Sequence, residues 1–213
     1  MKDFEAIAYD AARVTSELAE FESLLKSKES LAERKDLQPF FKKREQLSAF
    51  LGTCVTTMLP GTHLAFEYPF LGDFAADIVV GNRERGEYLV IELEDGTPDS
   101  VFTKIRGKKT KEWSRRFEHG YSQLIDWFCC LDDYRRTNKF IDVFGSGYVT
   151  FYGLLLAGRN AGMTEGERTR LRWRSKNVVV HSQPITCLTF DDLLVGLKQR
   201  SAFYTQGARL DTV

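Results

Sequence analysis

Two short runs rich in β-branched and aliphatic residues, Ala75 to Gly81 and Glu87 to Glu94, are joined by Asn82-Arg83-Glu84-Arg85-Gly86, and this pairing leaves the chain few choices. A polar connection of that length ending in glycine closes antiparallel strands into a hairpin. In a symmetric hairpin the numbers of opposed residues sum to a constant, and centring between Glu84 and Arg85 sets Asp77 directly across from Glu92. Because side chains alternate, Asp77, Val79, Tyr88, Val90, Glu92 and Glu94 are expected on one face, with Ala76, Ile78, Val80, Leu89, Ile91 and Leu93 on the other. The second set is wholly apolar and requires a covering layer of helices.

Like charges opposed across a ladder stand about 5 Å apart at Cβ and repel. Two resolutions are open for Asp77 and Glu92. A divalent cation between them supplies the missing positive charge, and ligation by oxygen alone suits Mg²⁺ or Mn²⁺. Alternatively one acid is protonated, or is paired with a Lys or Arg at the sheet edge.

Elsewhere the hydrophobic period alternates between helix and strand. Phe4, Ile7, Ala11, Val14, Leu18, Phe21 and Leu25 step by three and four as in a long amphipathic helix. Such a helix either dimerises as a coiled coil or lies on its own domain, and small Ala11, with Lys28 ending the stripe, favours the second. After the charged stretch Lys26 to Asp36, a second helix is expected from Leu37, with Pro39 in its first turn, to about Met58. Pro60-Gly61 stops it, and Leu64, Phe66 and Tyr68 alternate as in a strand. A helix over Trp113 to Leu131, a strand buried on both faces over Tyr148 to Ala157, and a helix over Arg168 to Lys176 follow. Short strands at Val178 to Val180 and Ile185 to Thr189 precede a last helix opened by Phe190-Asp191-Asp192, whose acids suit a helix N-terminus. The expected architecture is α/β: an N-terminal amphipathic helix over residues 1–35, a domain with a mixed sheet flanked by helices over 36–200, and a tail over 201–213.

Thirty basic and thirty acidic residues cancel, so any basic surface must be local. The densest cationic run is Lys104, Arg106, Lys108, Lys109, Lys111, Arg115 and Arg116, opposed by Glu112 alone. It either contacts a phosphate backbone or forms a solvated loop, and Phe102 and Trp113 at its ends either stack on bases or anchor it. Arg159, following the buried strand, either holds phosphate or pairs with a core acid. Cys54, Cys129, Cys130 and Cys187 form no CxxC pair, which gives neither a zinc site nor a disulfide framework. With no apolar run long enough to span a membrane and no signal-peptide core, a cytoplasmic protein without a membrane partner is expected. No Ser-His-Asp order or phosphate-cradling glycine loop stands out.

The order strand, acid, hairpin, then acid-x-acid at the end of an apolar strand, here Ala76-Asp77 and Glu92-Leu93-Glu94, resembles the PD-(D/E)XK nuclease superfamily. More closely, the chain resembles the catalytic domain of Shedu antiphage defence nucleases over roughly residues 37 to 197. The matching segments are Gln46 to Leu51, Phe66-Glu67-Tyr68-Pro69 before Ala76 to Val80, Val90 to Glu94, His119 to Trp127, Gly158-Arg159, and Leu188 to Leu194. That resemblance implies a restriction-endonuclease-like fold and an endonuclease that hydrolyses phosphodiester bonds of DNA, with RNA left open, using Mg²⁺ or Mn²⁺. It makes Asp77 and Glu92 metal ligands and Glu45, on the upstream helix, a third acidic contributor. Gln123, four residues before Trp127, resembles a Gln-x-x-x-Tyr element beside the site, where Gln bonds a phosphate or water and Trp stacks; the plainer reading is a polar position beside a core Trp. Glu94 departs from the pattern, since the superfamily usually has Lys there. Glu94 could draw in a second metal or act as a base toward water, with Lys104 taking over the lysine's role. A catalytically dead module that binds nucleic acid is the alternative, and a homo-oligomer assembled through the N-terminal helix is a further expectation.

Overall fold

In the computed structural model, residues 2–55, 57–70, 75–180 and 182–210 are described, the last six by their backbone alone. The chain runs β1 (Glu5–Ala6), α1 (Ala11–Ser27), α2 (Gln38–Lys42), α3 (Glu45–Phe50), β2 (His63–Pro69), β3 (Ala75–Asn82), β4 (Glu87–Leu93), β5 (Phe102–Thr103), β6 (Glu112–Trp113), α4 (Arg115–Tyr134), α5 (Asn138–Phe144), β7 (Thr150–Leu156), α6 (Glu165–Asn177), β8 (Val179–Val180), β9 (Gln183–Leu188) and α7 (Phe190–Leu210). The hairpin forms in the expected register, with Ile78 opposite Ile91, Val79 opposite Val90 and Val80 opposite Leu89. One step further, Asp77 and Glu92 meet at its open end.

Around that hairpin, seven strands form one mixed sheet in the order β1-β2-β3-β4-β7-β9-β8. β7 lies parallel to both β4 and β9, and the other pairs are antiparallel. Both faces are covered. Ile78, Val80, Leu89, Ile91 and Leu93 pack with side chains of α1, α2, α3 and α7, whereas Val79, Tyr88 and Val90 pack with those of α4, α5 and α6. A mixed sheet between helical layers is the expected α/β architecture, and it is consistent with the restriction-endonuclease-like arrangement.

The pleat departs from strict alternation at one step. Phe66 and Ile78 are paired and belong to the α1 side of the core, but Tyr68 and Ala76, the next pair of that ladder, belong to the α4 side. Ala76 is therefore not on the face assigned to it. The ribbon turns over between these pairs, where Glu67 takes a left-handed φ of 48°, a conformation uncommon for a residue with a side chain. Asp77 sits at this step, within β3 but between the paired positions Ala76 and Ile78 of the β2–β3 ladder.

The N-terminal segment also differs from its helical stripe. Phe4 stacks on Tyr68 with ring centroids 5.0 Å apart, and Glu5 and Ala6 pair with β2, because the sheet edge offers backbone partners that a helix would forgo. The helix starts after Asp10, whose carboxylate accepts the Ala12 and Arg13 amides. Val14, Leu18, Phe21 and Leu25 are buried in the chain's own core, so α1 lies on its own domain and its stripe is not free for a coiled coil. The expected second helix is broken into a π-helical turn over Glu33–Leu37, α2, α3 and a 3₁₀ turn over Leu51–Cys54, which ends short of Met58. α5 has no counterpart in the expected elements, and α7 continues to Leu210, into the segment expected as a tail, whose last three residues lie outside the described ones. Among the described residues no helix is long and apolar enough to cross a membrane.

Candidate active site

The open end of the hairpin faces a cleft of about 480 Å³. Three layers contribute to it: the π-helical turn supplies Glu33, Arg34 and Lys35, β4 and its continuation supply Glu92, Glu94 and Asp95, and α4 supplies Arg116, His119 and Gln123. Asp77 borders this group. Its Oδ2 accepts the Leu93 amide at 2.8 Å and its Oδ1 accepts Gln38 Nε2 at 2.7 Å. The same Gln38 amide donates to Glu33 Oε1 at 3.1 Å, so one side chain holds two carboxylates in place.

The π-helical turn explains how Glu33 arrives. The Leu37 amide reaches back five residues to the Ala32 carbonyl at 3.2 Å, and the Glu33 amide donates to Asp95 Oδ1 at 2.7 Å. This wide turn is a device common at functional sites. On the opposite wall, a side-chain Cβ at Gly120 would lie 2.8 Å from Leu155 Cδ1 and 3.0 Å from Glu94 Cγ. Glycine there lets α4 approach β4 and places its polar side chains beside Glu94.

Negative charge accumulates here beyond what the cations offset. Glu92 is 6% exposed, and burial, followed by the neighbouring carboxylates of Asp77, Glu94 and Glu33, pushes its pKa up to about 11. These surroundings favour its protonated form, which shares a hydrogen bond with Asp77. Burial also raises Asp77, although the Leu93 amide and the Gln38 side chain work against the rise. Glu94, 3% exposed, is raised by burial and by Glu33 to about 7, with Arg116 opposing. Arg116 spans Glu94 at 3.3 Å and Asp95 at 3.1 Å. Gln123 Oε1 is buried with no hydrogen-bond partner among the described residues, a lapse in satisfaction that folded proteins seldom leave without a reason. Among the described residues no three His, Cys, Asp or Glu side chains are arranged to hold a metal ion as they stand.

A family model described as Shedu protein SduA, C-terminal, matches residues 30–194. The chain belongs to that Shedu family. No curated protein matches it. Membership suggests a role in antiphage defence. The Shedu match begins just before the π-helical turn and ends within α7, so it contains every residue of the cleft and leaves out α1.

Of the residues singled out in this Shedu chain, Asp77, Glu92, Glu94 and Gln123 converge. Glu45 does not: it opens α3 and is not on the cleft, where Glu33 stands instead. Lys104, Arg106, Lys108 and Lys109 lie on the exposed loop between β5 and β6, so Lys104 is not in the position of the missing lysine; the cations lining the cleft are Arg34, Lys35 and Arg116. Lys111 is tied to α6, donating to the Gly162 carbonyl at 2.8 Å and pairing with Glu167 at 3.4 Å. Arg159 takes the structural alternative. Its guanidinium is bidentate on Asp191 and donates to the Leu25 and Lys28 carbonyls, pinning the end of α1 to the start of α7. Trp127 is fully buried, and Phe102 and Trp113 pack against each other with ring centroids 4.4 Å apart, so these aromatics anchor the core. Glu33 carried no local signal, being one acid in a charged stretch until the turn bends it inward.

Proposed function

We propose that this chain is a metal-dependent nuclease of PD-(D/E)XK type that hydrolyses phosphodiester bonds of DNA in antiphage defence, with Mg²⁺ or Mn²⁺ at Asp77 and Glu92. The observation that carries this reading is the crowding of Asp77, Glu92, Glu94 and Glu33 at one buried point, where burial and neighbouring carboxylates raise Glu92. The donor set fits the ion. All-oxygen donors suit a hard divalent cation that binds one or two carboxylates and keeps several waters, and the unpartnered Gln123 Oε1 is a ready acceptor for one of those waters.

Asp77 and Glu92 hold their oxygens on strand ends braced by Gln38 and the Leu93 amide, which fixes geometry better than a mobile loop. Asp77 and Glu92 would hold the divalent cation, which when bound would supply charge neutralisation for the phosphate and a more acidic water. Gln123 Oε1 accepts one hydrogen of the attacking water and so orients it. Glu94, held near neutrality, takes the other proton on a carboxylate oxygen, a task for which a pKa close to the working pH is best suited. Lys35 and Arg116, on the cleft wall, face the phosphate charge in place of the superfamily's lysine. The acidic pair and the order of elements around it support the PD-(D/E)XK assignment.

One observation favours a second reading, a module that binds nucleic acid without cutting. Arg116 already occupies Glu94 and Asp95, and no carboxylate trio stands ready for an ion among the described residues. Incubating the purified chain with supercoiled and linear DNA in Mg²⁺ or Mn²⁺ separates the two. Cleavage that disappears in Asp77→Ala and in Glu92→Ala, with unchanged circular dichroism, supports the nuclease. Binding without cleavage under every metal tried supports the module, and equal cleavage by both variants and wild type removes the assigned site.

A further inference from the structure

Charge that sums to zero over the chain is strongly segregated in space. The segments 104–116 and 165–177 contain twelve of the thirty basic side chains but only three of the thirty acidic ones, a net of +9, which leaves −9 for the remainder. They are far apart in sequence yet form one surface. Arg170 Nη1 donates to the Lys111 carbonyl at 2.8 Å, and Lys111 reaches Gly162 and Glu167. The Arg170 guanidinium lies 4.7 Å over the Phe102 ring, and that of Arg174 lies 4.8 Å over the Trp113 ring. Arg174 also pairs with Glu118 at 2.6 Å, next in sequence to His119 on the cleft. The basic loop and α6 therefore flank the first turns of α4 on the side away from the carboxylates.

α6 divides its residues between two stripes. Arg170 and Arg174, four apart, face inward onto aromatic rings. Thr169, Arg172, Trp173 and Lys176, at spacings of three and four, face solvent. Trp173 is 62% exposed, whereas Trp127 is fully buried and Trp113 lies beneath Arg174. Arg172 pairs with Glu165 and donates to Thr169 Oγ1 at 3.4 Å, and both ends of the ion pair are well exposed, so it is weak and exchangeable for a phosphate. Lys104, Arg106, Lys109 and Arg115 have no ion pair among the described residues.

We propose that α6 and the β5–β6 loop form a binding platform for a single-stranded stretch of nucleic acid, with Trp173 stacking on an unpaired base and the surrounding cations following the backbone. A duplex needs cations but offers no open base face, whereas a single strand uses both cations and an exposed aromatic ring. Trp173 thus takes the stacking role for which Phe102, Trp113 and Trp127 are unavailable. The platform rests on the nuclease reading only for the kind of polyanion it receives.

The test measures binding to the full chain in EDTA, so that nothing is cut, using fluorescence anisotropy of a labelled oligothymidylate, an abasic strand of equal length and a blunt duplex. Trp173→Ala should weaken oligothymidylate binding about tenfold and change the abasic strand and the duplex less than twofold. Tryptophan emission should be quenched by oligothymidylate in wild type and not in Trp173→Phe. Arg172→Gln should weaken all three ligands alike. Equal losses on all three from Trp173→Ala, or no loss on oligothymidylate, would overturn the platform. If Glu92→Ala still abolishes cleavage in that event, the nuclease reading stands without it. If wild type binds none of the three at low salt, the platform falls, and the nuclease reading is decided separately by the cleavage assay in Mg²⁺ or Mn²⁺.

Discussion

A carboxyl group held 6% exposed beside Asp77, Glu94 and Glu33 destabilises the folded chain whenever its proton is removed. With an ordinary value of 4.5 when unfolded and about 11 when folded, Glu92 must hold a proton at pH 7 that the unfolded chain would release. That amounts to roughly 3 kcal/mol at 1.36 kcal/mol per pH unit. Glu92→Gln removes this penalty while keeping the shape, so without divalent cation its Tm at pH 7 should rise by about 5 °C or more. A scanning calorimeter would show this, and a Tm equal to or below wild type would mean the carboxylates do not burden one another. The pH dependence has a fixed sign. Stability from raised acids is fully present below about pH 4.5 and declines as pH rises, the Glu94 share levelling off above about 7 and the Glu92 share continuing toward 11. Wild type should therefore lose Tm between pH 5 and 8 more steeply than Glu92→Gln.

Elements differ in how openly they declare themselves. The β3–β4 register was legible because two buried faces demand strict alternation and the connection fixes the centre. β7 was legible because a strand covered on both sides is apolar throughout. The turning-over of the β2–β3 ribbon was not, since Glu67 and Asp77 look like ordinary polar positions and only a left-handed backbone at Glu67 reverses the faces. Phe4 and Ile7 fit a helical stripe as well as they fit a sheet edge, and the choice was made by β2, which sequence spacing does not include. Glu33 and Glu45 are alike as upstream acids, and a π-helical turn decides between them. The β5–β6 loop was legible as a cationic run but not as the partner of α6. Lys108→Gln with Lys109→Gln should reduce the slope of log binding constant against log salt by roughly 1 to 2. The smaller figure is expected if Lys108 remains with Glu112. An unchanged slope in a salt titration of duplex binding would place the phosphate contacts elsewhere.

Across the whole molecule, the carboxylate cluster joins parts from both helical layers at the end of the sheet. Glu33 comes from the turn before α2, Asp77 and Glu92 from the central hairpin, and Gln123 from the helix on the opposite face. A cation seated among them would hold both helical layers to the sheet, and removing it would release mutual repulsion at the centre of the fold. Binding at the site is thereby linked to global stability. An ion that binds only the folded chain stabilises it by RT ln(1 + [L]/Kd), about 2.7 kcal/mol at a hundredfold excess over Kd, which for a chain of this size means a Tm rise of roughly 5 to 10 °C. Mn²⁺ or Mg²⁺ should produce that rise in wild type, more at pH 8 than at pH 5 because protons compete for the same oxygens. Glu92→Gln, already relieved of its charge, should respond weakly. Differential scanning fluorimetry with each metal, and with Ca²⁺ for comparison, measures this without any nucleic acid present. If neither Mn²⁺ nor Mg²⁺ moves the wild-type Tm at millimolar concentration, the cluster does not take up the ion, and Glu92 is a buried acid whose proton stays with Asp77.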